Sequence, residues 1–258
     1  MRPVDWLSFL LEIVDRTDPI ALRYFRSSSL EVETKSDRTP VTEADRAIER
    51  AVRDLAAAHP EPLAVFGEEY GEDAPSSTRL IVDPIDATRN FARGIPIFAT
   101  LLAVEREGEI LAGVASAPGL QTRWSAARGA GAWEGGRRLR VSPQDRLDRA
   151  QLFHGSLAGD ETPRQGEAVL RLARATARQR GFGDFYQHCL VAAGWGEVAL
   201  DFGLQSWDIA ALQILVEEAG GRISDLQGRR TTQPGDYLST NGHLHEQVLD
   251  LLARPSDA

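Results

Sequence analysis

Apolar residues recur at helical spacing near the start of the chain. The segment RPVDWLSFLLEIVDR carries acidic residues between its apolar ones, which predicts an amphipathic helix over residues 4 to 26 rather than a signal peptide. Its apolar positions are Val4, Leu7, Leu10, Leu11 and Val14. A second helix is predicted near residues 43 to 58.

Short apolar runs bounded by glycine, proline and polar residues predict strands. In the first half we expect them near residues 63 to 66, 79 to 83, 97 to 105 and 110 to 117, with a hairpin turn at Glu107-Gly108. The second half alternates, with strands near 151 to 155 and 197 to 200 and helices near 163 to 180, 185 to 194 and 207 to 219. Residues 129 to 136 and 155 to 161 are predicted loops, and residues 118 to 121 a turn.

Composition and charge narrow the functional classes. A chain of 258 residues with 42% hydrophobic residues can bury a full core. Its net charge of −9 argues against a general nucleic-acid binder. The apolar runs are far shorter than a membrane span, so we expect a cytoplasmic protein without membrane partners. Lys35, the sole lysine, precedes the segment PVTEAD and is a candidate for a supporting role near a site.

The segment IVDPIDATRNF brings two carboxylates close together in sequence. Leu80, Ile81 and Val82 predict a buried strand that ends at Asp83, where Pro84 stops it. A turn through Pro84 and Ile85 would then present Asp83, Asp86 and the Ile85 carbonyl to one point, and hard cations such as Mg2+ prefer such oxygen ligands. The alternative is that Asp83 merely ends a strand and Asp86 caps a helix.

Three further acidic residues could complete a multi-carboxylate site, and each has a simpler structural explanation. Asp45 in PVTEAD follows Thr42 at capping-box spacing. Glu68 in VFGEE lies in a polar loop, where acidic residues are usually just solvated. Asp208 in SWDIAA falls in the first turn of a helix, where it would complement the helix dipole.

The motifs GEE, IVDPIDATRNF and WDIAALQILVEEAGG resemble those of the inositol monophosphatase superfamily, from about Val32 to Asp225. TPVTEADRAIE, and GDFYQHCLVAAG followed by SWDIAA, are most similar to the bacterial histidinol-phosphatase branch. The resemblance implies an α+β fold, the layered α-β-α-β-α sandwich of the inositol monophosphatase/fructose-bisphosphatase type. It also implies a single catalytic domain over residues 1–258, with an α+β part to about 145 and an α/β part from about 146, and a homodimer.

The resemblance further implies a Mg2+-dependent phosphomonoesterase with two to three ions, for which Mn2+ could substitute. Glu68 would bind the first metal, Asp83 would bridge two metals, and the Ile85 carbonyl would complete the first site. Asp86 and Asp208 would hold the second metal. Two such metals about 4 Å apart can activate a water and stabilise the leaving alkoxide, so no covalent nucleophile is needed.

On the same resemblance, Asp45 and Thr88 would orient and deprotonate the attacking water, and the backbone amides of Ala87 and Thr88 would hold the phosphate. The family usually has glycine where this chain has Ala87. A methyl group there is compatible with right-handed helical dihedrals, in which the amide can still hold the phosphate, and we expect that conformation. Cys189 is expected in the core, and His243 and His245 lack the convergent ligands of a zinc site.

Two acidic residues bear on the substrate. By the resemblance, Asp184 and Asp201 border its organic part, where histidinol phosphate offers an ammonium group and an imidazole but inositol phosphate offers only hydroxyls. Asp184 could instead cap the following helix. We therefore expect a histidinol-phosphatase, with an inositol-1-phosphatase or broad phosphomonoesterase as the alternative. A regulatory protein that keeps the fold is a third hypothesis, which the intact set of proposed ligands opposes.

Overall fold

The computed structural model describes residues 1–27, 32–34, 40–74, 76–157 and 165–253. Lys35 and residues 158 to 161 of one predicted loop lie outside these ranges. In the described part of the chain, the α-helices are α1 (Pro3–Tyr24), α2 (Glu43–Ala57), α3 (Thr88–Ala92), α4 (Gln165–Ala175), α5 (Asp184–Ala192), α6 (Ser206–Glu218) and α7 (His245–Ala253).

The described strands fall into three groups along the chain. The first are β1 (Val32–Thr34), β2 (Pro40–Thr42), β3 (Ala64–Gly67), β4 (Gly71–Glu72) and β5 (Thr78–Asp86). The second are β6 (Ala99–Arg106), β7 (Glu109–Ala117), β8 (Thr122–Ala127), β9 (Gly131–Glu134) and β10 (Arg137–Arg138). The last are β11 (Gln151–His154), β12 (Arg178–Gly181), β13 (Val198–Leu204), β14 (Arg222–Asp225) and β15 (Gly235–Thr240).

Two large sheets carry the fold. The first has eight strands in the order β10-β9-β8-β7-β6-β5-β3-β4, and the second has five in the order β12-β11-β13-β15-β14. The first sheet is antiparallel except for the parallel pair β3 and β5. In the second, β11 runs parallel to both β12 and β13. β1 and β2 form a small separate ribbon.

Helices separate and cover the two sheets in five layers. α1 and α2 pack on one face of the eight-stranded sheet, and α6 packs on its other face. α5 lies beside α6 and contacts the five-stranded sheet, whose far side carries α4 and α7. The predicted α-β-α-β-α sandwich is therefore confirmed.

The side-chain pattern explains why both faces of the sheets are covered. In β5, Leu80 and Val82 join the core under α1 and α2, whereas Ile81 between them joins the core under α6. Val198 and Leu200 of β13 likewise face α4 and α7, and Ala199 faces α5. Continuous apolar runs are expected of strands that are buried on both faces.

Two predicted segments are wrong. The helix expected to residue 180 ends at Ala175, and residues Arg178–Gly181 form β12 at the edge of the second sheet. Gly131–Glu134, predicted as part of a loop, form β9, which pairs with β8. The hairpin at Glu107-Gly108 is confirmed, since it joins the antiparallel strands β6 and β7.

A membrane crossing needs a long apolar helix. Within the described ranges, none of the helices has that combination of length and apolar character.

Candidate active site

The carboxyl end of β5 supplies two acidic side chains. The strand continues through Pro84 to Asp86 instead of stopping at Asp83, and its pairing with β6 shifts register between Asp83 and Asp86. The Thr100 hydroxyl on β6 donates to the Pro84 carbonyl at 2.8 Å. Such an irregularity re-aims side chains, and it accounts for two acidic residues three positions apart facing the same site.

Three carboxylates meet at this end of β5. Asp83, Asp86 and Asp208 each offer an oxygen, and these oxygens all lie within 4.8 Å of one another. Asp83 is 2% exposed, and within the described part of the chain its Oδ1 has no hydrogen-bond partner. Buried charges are normally paired or bound to metals, so the unpartnered oxygen and the all-oxygen donor set fit a hard divalent cation.

Asp86 does not cap the helix that follows it, so that simpler explanation is wrong. The N-cap of α3 is Ala87. Asp86 Oδ2 instead accepts a hydrogen bond from the backbone N–H of Phe185, 2.9 Å away in the first turn of α5. This contact joins the end of the first sheet to the middle helical layer.

Asp208 is the third residue of α6, and its two expected uses coexist. Its Oδ2 accepts from the backbone N–H of Gln205 at 2.7 Å, while the same carboxylate belongs to the cluster with Asp83 and Asp86. Its neighbour Trp207 packs edge-on against Phe66, with ring centroids 5.4 Å apart. Because Phe66 nearly adjoins Glu68, this contact holds the two acidic segments together.

The loop that carries Glu68 is braced by a buried carboxylate from α2. Glu49 is fully buried and accepts from the backbone N–H groups of Glu69 at 2.8 Å and Tyr70 at 3.2 Å. A Cβ added to Gly67 would lie 2.2 Å from Glu49 Oε1. The glycine of GEE is thus required by close approach, a role for Glu49 and Gly67 that the sequence pattern did not reveal.

Asp45 and Thr88 do not share a hydrogen bond with each other; each has a different partner. Thr42 donates to Asp45 Oδ2 from its backbone N–H at 2.8 Å and from its hydroxyl at 2.6 Å, so the predicted capping box is confirmed. The Thr88 hydroxyl donates to the Ile85 carbonyl at 2.9 Å. A catalytic pairing of Asp45 with Thr88 stays a prediction.

Ala87 overturns one expectation. Its backbone is left-handed, with φ 65° and ψ 44°, because β5 must turn sharply into the five-residue helix α3. The expectation of right-handed dihedrals is therefore wrong. A left-handed residue explains a preference for glycine at this position, and the methyl group of Ala87 makes it strained.

Asp184 and Asp201 lie next to the carboxylate cluster. Asp184 is the first residue of α5, but the N-cap is Gly183 and no side chain caps the helix, so the expectation that Asp184 caps it is wrong. Its backbone is left-handed, with φ 51°. Asp201 on β13 accepts from Gln187 Nε2 at 2.6 Å and from the backbone N–H of Phe202 at 3.0 Å.

Burial and mutual repulsion set the electrostatics of the site. Burial, followed by the charge of Glu68, raises the pKa of Asp83 well above its usual range. Burial and the charge of Asp184 do the same to the pKa of Asp86. Burial also raises the pKa values of Asp45, Asp184 and Asp208 to about 7. Acidic groups held this close favour bound cations or protons.

Other candidate side chains have ordinary structural roles. Cys189 is 1% exposed, as expected for a core residue. His245 is buried between Ser224 Oγ at 2.8 Å and Thr240 Oγ1 at 3.0 Å. Gln187 and His188, which no sequence motif indicated, are fully buried beside Asp201. Two polar residues inside the apolar helix α5 were the available signal.

Comparison with known proteins gives a consistent family match. The model described as "Inositol monophosphatase family" matches residues 4–256. A histidinol-phosphatase from Mycobacterium tuberculosis is 42% identical over 96% of this chain and 98% of its own. An inositol-1-monophosphatase from Mesorhizobium japonicum is 33% identical over 89% of each. The solved structure of an IMPase from Thermotoga maritima superposes with a TM-score of 0.86 at 30% identity, covering 96% of each chain.

Proposed function

We propose that this chain, which belongs to the inositol monophosphatase family and is a phosphoric monoester hydrolase, hydrolyses histidinol phosphate to histidinol and phosphate. The reaction would use bound divalent cations. The observation that carries the proposal is the cluster of Asp83, Asp86 and Asp208, with a second pair of acidic residues beside it. The similarity to a histidinol-phosphatase over nearly the whole chain supports the choice of substrate.

We propose Mg2+ as the cofactor, in two to three ions, with Mn2+ as a substitute. The ligands would be Asp83, Asp86, Asp208, Glu68 and the Ile85 carbonyl. The unpartnered Oδ1 of Asp83 supports this role. When bound, the cations would supply Lewis-acid stabilisation of the phosphoryl oxygens and a more acidic water.

The remaining catalytic work falls to residues at the rim of the cluster. Asp45 would accept the proton of the attacking water, with Thr88 orienting that water. The Thr88 hydroxyl already donates its proton to the Ile85 carbonyl, so its oxygen is left to accept. The amides of Ala87 and Thr88, where β5 turns into α3, would hold the phosphate.

Asp184 and Asp201 would receive the cationic end of the substrate. Asp184 lies close to the cluster, because the backbone N–H of the next residue, Phe185, donates to Asp86. The charge of Asp201 contributes to the raised pKa values of Asp184 and Asp86, so the acidic residues lie within electrostatic reach of one another. An ammonium group or imidazolium bound there would relieve this repulsion.

Inositol-1-phosphate is the second candidate substrate, and the 33% identical relative favours it. The two candidates differ in charge at the organic end. Replacing acidic side chains there should therefore weaken the binding of histidinol phosphate and leave the hydrolysis of inositol-1-phosphate nearly unchanged.

The test is substrate selectivity after charge removal. Asp201→Asn and Asp184→Asn should each raise KM for histidinol phosphate about tenfold or more and change kcat/KM for inositol-1-phosphate by less than about threefold. Asp148→Asn, which removes an exposed carboxylate paired with Arg146, is the charge-matched control. Equal losses on both esters would refute charge recognition.

Three further parts of the proposal concern the whole chain. We propose one catalytic domain over residues 1–258, divided near residue 145, where the strands of the eight-stranded sheet have ended and those of the five-stranded sheet have yet to begin. We propose a homodimer and a cytoplasmic location on the family resemblance alone. Light scattering of the purified chain tests the first of these two.

A further inference from the structure

The two oxygens of Asp201 have different surroundings. Gln187 Nε2 donates to Oδ2 at 2.6 Å, and His188 Nε2 lies 3.7 Å from the same oxygen. Oδ1 accepts from the Phe202 backbone and faces Gly155, where an added Cβ would lie 3.4 Å away. Oδ2 is therefore the anchored oxygen, and Oδ1 is turned toward backbone that lacks side chains.

The two α5 side chains beside Asp201, Gln187 and His188, do not form all the hydrogen bonds that they can. Gln187 and His188 are both 0% exposed, yet neither Gln187 Oε1 nor His188 Nε2 has a hydrogen-bond partner among the residues that the structure describes. His188 Nδ1 lies 2.7 Å from Ser239 Oγ on β15, which fixes the ring and turns Nε2 toward Asp201. A buried polar atom without a partner lowers the stability of the folded state, so its presence calls for an explanation.

The same helix also reaches the carboxylate cluster. The backbone N–H of Phe185 donates to Asp86 Oδ2, and Gln187 and His188 follow two and three residues later. Phe185 is fully buried, and α5 packs against α6 and both β13 and β15. One helix thus contacts Asp86 through Phe185 and Asp201 through Gln187.

We propose that Gln187 and His188 are positioning residues, which hold Asp201 at a fixed distance from the carboxylate cluster so that the cationic end and the phosphate of one substrate are engaged together. The inference rests on the proposed role of Asp201 in binding a cationic substrate. It explains why two polar side chains are kept in a buried segment whose neighbours Cys189, Leu190 and Val191 are apolar.

The test removes the polar atoms and keeps the volume. Gln187→Met and His188→Phe should each raise KM for histidinol phosphate, and the Kd of histidinol measured by calorimetry, about tenfold or more. We expect kcat/KM for inositol-1-phosphate to stay within about threefold of wild type. Cys189→Ala, a buried change on the same helix, is the control and should alter neither selectivity nor histidinol binding.

A double-mutant cycle separates positioning from packing. Combining either variant with Asp201→Asn should cause no further loss beyond that of Asp201→Asn alone, because the effect passes through that carboxylate. Additive losses, or equal losses on both esters, would overturn the inference. Should His188→Phe fail to fold, as judged by its thermal transition, the Gln187→Met cycle decides.

The proposed function is tested separately, by the activity of the wild-type enzyme on histidinol phosphate. A wild-type enzyme inactive on histidinol phosphate would refute that substrate. The cycle is then run on the ester hydrolysed fastest, and coupling of Gln187 or His188 to Asp201 would still support positioning, whereas its absence would overturn it.

Discussion

At the scale of single residues, Ala87 has a left-handed backbone conformation that suits glycine better than a residue with a Cβ. A left-handed conformation costs a non-glycine residue about 1 to 2 kcal/mol, and Ala87 has φ 65°. Ala87→Gly should raise the free energy of unfolding by about 1 kcal/mol, less the extra freedom that glycine gains in the unfolded chain, while phosphate release is retained. Urea denaturation measures this. Ala92→Gly in the same short helix should destabilise instead, and a destabilised Ala87→Gly would mean that the methyl contacts outweigh the strain.

Asp83 shows the opposite balance, in which function costs stability. Its buried oxygen without a hydrogen bond should make Asp83→Asn melt at a higher temperature than wild type in EDTA. The same change should remove the stabilisation by Mg2+ and lower kcat about a hundredfold or more, because it removes a proposed cation ligand. Thermal melts with and without Mg2+, together with phosphate release, measure these effects. An unchanged Mg2+ response would exclude Asp83 as a ligand.

The three acidic residues that cluster in the structure could be predicted from sequence, whereas the backbone conformations of residues around them could not. Asp83 and Asp86 belong to a recognisable motif beside an apolar run. Left-handed conformations at Ala87 and Asp184 follow from how β5 and α5 must meet, and neither side chain indicates them. Capping preference favoured Asp184 as the cap, but Gly183 occupies that position.

At the scale of elements, burial decided which strands the sequence could predict. β5, β6 and β7 are buried on both faces and carry apolar runs. β12 has the sequence RQRG and lies at a sheet edge. Its backbone pairs with β11 while its polar side chains are mostly exposed, so it has no apolar run to indicate a strand. β14 (RISD) and β15 (GDYLST) were missed because polar residues interrupt their short apolar runs. α7 was missed although Val248, Leu249 and Leu252 recur at helical spacing.

The junction of β14, β15 and α7 should make the fold sensitive to acid. Burial, followed by the charge of Arg222, lowers the pKa of His245 from 6.5 to about 4. The folded state then binds fewer protons than the unfolded state below pH 6.5, so His245 should withdraw about 3 kcal/mol of stability as the pH falls from about 6.5 to 4. Urea titrations of wild type and His245→Gln across this range measure it. Exposed His243→Gln is the control, and identical pH profiles for wild type and His245→Gln would refute the prediction.

At the scale of the whole molecule, the site lies where the first sheet meets the middle helical layer. β5 supplies Asp83 and Asp86, α6 supplies Asp208, and α5 contacts Asp86. This convergence depends on the five-layer packing, which composition alone could not reveal. The meeting of these residues could be predicted from the family motifs, because proteins that share the motifs share the fold.

The concentration of acid at this junction should couple metal binding to pH. Burial raises the pKa values of Asp45, Asp184 and Asp208 to about 7, so without metal the folded state holds more protons than the unfolded state. These groups therefore lower the stability of the metal-free protein as the pH rises from about 4 to above 7. The rise in Tm caused by Mg2+ should be at least about twofold larger at pH 8 than at pH 6. A rise that is equal at both values would contradict this prediction.

The most direct measurement is Mg2+-dependent phosphate release from histidinol phosphate and inositol-1-phosphate, compared as kcat/KM under the same conditions. We predict a preference of at least about a hundredfold for histidinol phosphate, near 2.7 kcal/mol of differential transition-state binding. We also predict that EDTA abolishes release from both. Preference for inositol-1-phosphate, or undiminished release in EDTA, would contradict the account.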